Sequence, residues 1–188
     1  MTTKLEHRVL QLTRALGDER HGGLAAQALV HTTSTLITAL TQALQSPTYE
    51  ARGQAAFVLG RIGGKIHDII EALIQGLADV DEAVCQYTAT ALSQIGKPAV
   101  QALIKALHDE NEEVRFYAVT ALADLDEPPE EAIVHLIDVI YEGFPGIAWV
   151  AVEALQAIST PEALQAIEIY KKHESERYQP SHLYNEEA

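Results

Sequence analysis

The chain has 188 residues, 47% of them hydrophobic and 21% charged, with a formal net charge of −14 and a single cysteine, Cys85. That length suffices for one well-buried core, and no stretch has the length of a membrane span or the layout of a secretory leader. A lone cysteine excludes an intramolecular disulfide, and the lack of a Cys/His cluster argues against structural zinc, so the expectation is a soluble cytoplasmic protein.

The charge is unevenly spread. Residues 1–65 hold seven Lys/Arg against four acids, a balance of +3, which leaves −17 on the rest. Such a surface repels phosphate backbones and anionic lipid, so neither nucleic acid nor membrane is expected as a partner.

In chain order, residues 1–34 read as an irregular helix pair, Leu12, Leu16 and Asp18 on the first helix and Ala25, Ala28 and Leu29 on the second. This is expected to be an N-terminal capping repeat, because an array needs a polar end face. Residues 35–158 are far more regular. Ala55-Val58-Leu59-Ile62, Thr88-Ala91-Leu92-Ile95, Ala118-Ala121-Leu122-Leu125 and Ala151-Ala154-Leu155-Ile158 share one inner spacing and follow each other at offsets of 33, 30 and 33 residues. The i, i+3, i+4, i+7 spacing lays each set along one side of a helix, and the recurrence predicts stacked helix pairs with a continuous core.

Each unit adds an outer helix with two leucine-type residues one turn apart: Leu40/Leu44, Leu73/Leu77, Leu103/Leu107 and Leu136/Ile140. Between the helices lie Ser46-Pro47, Asp79 to Glu82, Asp109 to Glu113 and Gly143-Phe144-Pro145-Gly146. Acids there suit the partial positive charge of a helix N-terminus. Ser46-Pro47 and Thr160-Pro161 predict a capping hydroxyl followed by proline at the first helical position. Residues 159–175 are expected to form a C-terminal capping helix built on Leu164, Ile167 and Ile169/Tyr170, and residues 176–188 a disordered tail.

Asp109-x4-Val114-Arg115-x2-Ala118-x2-Ala121-Leu122 resembles the HEAT-like repeat of the phycobilin lyase type, with Ser46 to Leu59 and Asp79 to Leu92 similar but less complete. The resemblance implies an all-α, right-handed α-solenoid of about five helix pairs closed by the capping helix. It also implies a ladder in which the turn Asp and the inner-helix Arg bind across neighbouring units. Here Asp79 and Asp109 supply acids and Arg52 and Arg115 supply guanidinium groups, while Cys85 and Ala148 stand in the arginine position of the other two repeats, so the ladder is interrupted.

With Ala55 taken as zero and about 100° per residue, positions equivalent to 53, 57 and 60 point away from the core. On the inner, concave face these rows and the one beside them bring together Phe57, Tyr87, Phe116, Tyr117 and Trp149, with Arg61, Thr90, Thr120 and Glu153 among them. In a chain only 6% aromatic, that concentration reads either as a partner surface or as rings filling the seams between inner helices.

No catalytic set is evident. Cys85 lies about 60° from the core direction, where a free thiol behaves as a small hydrophobe. HEAT-repeat iron hydroxylases carry paired His-Glu motifs on inner helices; this chain has only His173-Glu174, near its end, so no metal site is expected. Gly63-Gly64-Lys65 lacks the spacing of a phosphate loop and reads as a helix stop.

The function expected is therefore a non-catalytic scaffold or chaperone-like adaptor that grips a protein on its concave face. The alternative, implied by the resemblance, is a phycobilin lyase-related protein that binds a linear tetrapyrrole, stacking it on the aromatics with its propionates near Arg52, Arg61 and Arg115, and attaches it to or detaches it from a phycobiliprotein. Its partner would be a phycobiliprotein or a second HEAT-repeat subunit. The scaffold reading calls for no cofactor.

Overall fold

The helices begin where side chains can satisfy free amides. A computed structural model describes residues 35–62, 67–126, 129–142 and 145–177. Asp81 Oδ1 accepts from Ala83 N at 3.0 Å and Asn111 Oδ1 from Glu113 N at 2.9 Å, each opening an inner helix. Thr160 Oγ1 accepts from Ala163 N at 3.3 Å and Pro161 takes the first helical position, as its dipeptide predicts. Ser46-Pro47 behaves differently. Ser46 Oγ accepts from Thr48 N at 3.4 Å, and the helix starts at Tyr49 because Thr48 O takes the first helical bond, from Arg52 N at 3.3 Å. Pro47 therefore sits in the turn.

Among the described residues all regular structure is helical: α1 (35–43), α2 (Tyr49–Ile62), α3 (His67–Gly76), α4 (Glu82–Ile95), α5 (Val100–Ala106), α6 (Glu112–Ala123), α7 (Ile133–Glu142), α8 (Pro145–Ile158) and α9 (Pro161–Arg177). Single 3-10 turns, Lys97–Ala99 and Glu130–Ala132, lead into α5 and α7. The first follows Gly96, whose φ of 75° ends α4 in a conformation that glycine tolerates without steric cost.

The array is an α-solenoid in two layers. Inner helices α2, α4, α6 and α8 pack each on the next, while α3, α5 and α7 lie behind α4, α6 and α8 respectively. Helix α9 closes the end against α7 and α8. It runs to Arg177, two residues beyond the expected end of the cap, and the remainder of the expected tail and the expected N-terminal cap lie outside the described residues.

The repeated sets form the core. Leu59, Leu92, Leu122 and Leu155 are buried, as are Leu73, Leu77, Leu103, Leu107 and Leu136 from the outer layer. Each such leucine contributes about 1.5–3 kcal/mol relative to an exposed one. Val58, Ile62 and Ile158 are only half-buried. Thr88, the one buried polar residue among those described, sends its hydroxyl back to Val84 O at 2.7 Å, so it adds no unsatisfied group.

Candidate binding face

Arg52 reaches from α2 to the turn before α4. Its Nε and Nη2 donate to Asp79 Oδ2 and Oδ1, each at 2.7 Å, and Nη1 donates to Ser46 O at 3.0 Å. The bidentate fork fixes geometry as well as charge. It holds the Asp79 carboxyl below the usual carboxylate range; burial opposes this, and the Asp81 amide, donating to Oδ1 at 2.9 Å, assists it.

At the equivalent place on α4, Cys85 donates its thiol to Asp79 O at 3.3 Å. It repeats the arginine's bond to the carbonyl six residues back and supplies no guanidinium. Arg115 on α6 keeps that bond too, with Nη1 donating to Asp109 O at 2.7 Å and Glu110 O at 2.9 Å. The Asp109 carboxylate, across from Cys85 in the repeat frame, accepts from Asn111 N at 2.9 Å and, among the described residues, makes no ion pair.

The aromatic row divides. Phe57 (36% exposed), Tyr87 (46%) and Trp149 (63%) open to solvent on the inner helices, and the Arg61 guanidinium carbon lies 5.7 Å from the Phe57 ring centre. Thr90 and Glu153 are exposed beside them; Thr120 is half-buried with its hydroxyl donating to Phe116 O. Phe116 is half-buried and meets Tyr117 edge-on at 5.2 Å.

Tyr117 is a correction: it is buried, not presented on the face. Its row, shared with Tyr87 and Val150, points toward the preceding inner helix, because Tyr87 covers Gly53 of α2, where an added Cβ would lie 2.7 Å from the ring. Gly53 and Gly60 are likewise buried rather than outward, Gly60 under Ala91.

A cavity of about 470 Å³ lies where α4, α6 and α8 begin. Cys85, Phe116, Tyr117 and Ile147 give it an apolar wall, Glu82, Glu112 and Glu113 an acidic rim, and Val80, 99% exposed, stands at its side. No basic residue lines it. Burial pushes the Cys85 thiol up to about 11. The Tyr117 phenol is raised by burial first and then by nearby negative charge including Glu82 and Glu113. Among the described residues no group of three or more His, Cys, Asp or Glu is placed to hold a metal ion.

Sequence reasoning passed over two features. Val80 is an apolar residue between two turn aspartates, a signal available in the sequence. On the outer side, His108 Nε2 and His135 Nδ1 meet at 3.0 Å, bridging consecutive repeats at the 27-residue separation that also joins Arg52 to Asp79.

The family model for HEAT repeats matches three overlapping stretches, residues 37–107, 70–156 and 100–178. The chain belongs to the HEAT repeat family. This is coarser than the lyase-type resemblance. No curated protein matches the chain. Solved structures similar to it include an engineered protein at 26% identity, covering 72% of this chain and 68% of the other with a TM-score of 0.46. A second engineered protein shares 19% identity, covers 96% and 92%, and has a TM-score of 0.49. A designed armadillo repeat protein, in complex with the peptide (KR)4, shares 23% identity, covers 98% and 95%, and has a TM-score of 0.43. Among the described residues no helix of this HEAT-repeat array is long and apolar enough to cross a membrane.

Proposed function

We propose that this HEAT-repeat chain is a non-catalytic cytoplasmic scaffold or adaptor whose inner face grips a protein partner. The observation that carries the reading is the set of exposed rings, Phe57, Tyr87 and Trp149, on three of the four inner helices, α2, α4 and α8. Solvent contact gains nothing from a ring, whereas a partner that covers it removes apolar area from water, and interface energy concentrates in such residues. Glu50, Glu82, Glu113 and Glu153 are exposed on the four inner helices, with Arg61 the exposed cation among them, so the face suits a basic segment.

A linear tetrapyrrole carried for a phycobiliprotein, or a second HEAT-repeat subunit as partner, is the finer alternative that the lyase-type resemblance implies. Covalent carriage of the tetrapyrrole on this chain is disfavoured by Cys85, its one thiol, which is buried and whose pKa burial raises to about 11.

The test is to identify proteins cross-linked to the wild-type chain and to measure affinity for the purified partner with Trp149→Ala and Phe57→Ala. Each should weaken binding by more than about 2 kcal/mol, roughly thirtyfold, with the helical spectrum unchanged. Unaltered affinity in both variants would move the functional face elsewhere. Mixing with a bilin-loaded phycobiliprotein should leave visible absorbance unchanged; a shift would favour the tetrapyrrole reading.

A further inference from the structure

We propose that the cavity beside Cys85, where the arginine ladder is broken, is a socket for an arginine side chain of an extended basic segment of the partner; this rests on the scaffold reading above. One repeat earlier the arginine position is filled from within and the acid across from it, Asp79, is held; the corresponding acid here, Asp109, does not line the cavity. Arg52 supplies a guanidinium that spans from its inner helix to the next turn. Cys85 keeps only the bond to the turn carbonyl, and beside it lies the cavity of about 470 Å³. That volume falls within the range of about 300–1,000 Å³ typical of clefts that enclose a ligand group.

The lining fits a guanidinium on two counts. Half-buried Phe116 offers ring surface, on which the planar group stacks more readily than an ammonium, and the rim carries Glu82, Glu112 and Glu113 with no cation among the lining residues. First-turn acids have a structural role of their own at α4 and α6, where the helix ends carry roughly half a positive charge each. The end of α8 also opens on the cavity, and three carboxylates against three such ends still leave the rim negative by about one and a half charges. Asp79 adds nothing to that balance, since Arg52 already neutralises it. The docked segment would pass Val80, whose fully exposed side chain offers apolar contact at the mouth.

The test uses a capped, fluorescently labelled tetra-arginine peptide titrated against the full chain and read by anisotropy. Wild type should bind it, and tetra-lysine of equal charge several-fold more weakly. The double variant Glu82→Gln/Glu113→Gln should lose at least roughly tenfold in affinity, while Glu162→Gln/Glu168→Gln on α9 should behave as wild type. Cys85→Arg, which completes the ladder from within, should raise the melting temperature and weaken the peptide by a similar factor. Should that variant fold poorly, the glutamine pair decides alone. No binding by wild type at about 1 mM peptide, or equal losses in the rim and α9 variants, would overturn the socket. If the rim variants bind normally while Trp149→Ala loses the peptide, the socket is wrong and the scaffold reading stands.

Discussion

Two seams of the same inner layer are built in opposite ways. Between α2 and α4 the contact is extensive: Gly53 and Gly60 let Tyr87 and Ala91 come down onto the α2 backbone, and the Arg52–Asp79 fork locks the end of the seam. Between α4 and α6 the contact is less extensive, the ladder position holds Cys85, and a cavity opens where the helices begin. One repeat frame thus serves two ends. Where it is complete it contributes stability; where it is broken it leaves room.

The largest expected effect tests what the seams share. Leu59→Asp and Leu122→Asp each place an unpaired carboxylate in the one core column, which costs several kcal/mol against a total of about 5–15, so both variants should lose the helical spectrum near room temperature. Loss in one and not the other would show that the seams are independently stable. Next come the glycines. Gly60→Ala forces a Cβ to within 2.7 Å of the Ala91 backbone and should cost about 1–3 kcal/mol in urea unfolding. Gly146→Ala, at the edge of the second-seam cavity with no atom within 4 Å of the added Cβ, should be neutral or stabilising by up to about 1 kcal/mol.

The ladder is a finer probe. Arg52→Met should lower the melting temperature more than Arg115→Met, because only Arg52 holds an acid across the seam. Because the folded-state value of Asp79 is depressed below 3.8, its contribution is present above that pH and lost as pH falls through the lower folded value. Acid melts of wild type and Arg52→Met should therefore converge once the pH has fallen below the depressed folded-state value of Asp79. Smallest of all, Trp149→Ala should change stability by no more than about 0.5 kcal/mol, since the ring is mainly exposed, whereas half-buried Phe116 should lose more on truncation.

The fold was legible because its code is periodic: the Ala-x2-small-Leu sets mark the buried column, and Asp81, Asn111 and Thr160 mark helix starts by chemistry that acts within three residues. The site was legible only in part. A helical wheel separates core from not-core, but it has no term for the neighbouring helix, so it placed Tyr117, Gly53 and Gly60 outward when each faces a seam. The cavity needed three helix ends brought together from residues more than sixty apart, Val80 and Ile147, and no local pattern records that distance. The missing arginine at Cys85 was visible; the space beside it was not.

The buried thiol gives the second seam a built-in gauge. Because the chain carries a single cysteine, a thiol reagent has one place to react, and in the native protein it must wait until the α4–α6 seam parts. When reclosing outpaces labelling, the native rate divided by the unfolded rate is the equilibrium constant for that local opening, measured without denaturant and without altering a residue. Whatever occupies the cavity holds the seam shut in proportion to its occupancy. Slowed labelling would then report binding at this one place along the array, and leave the other seams unread.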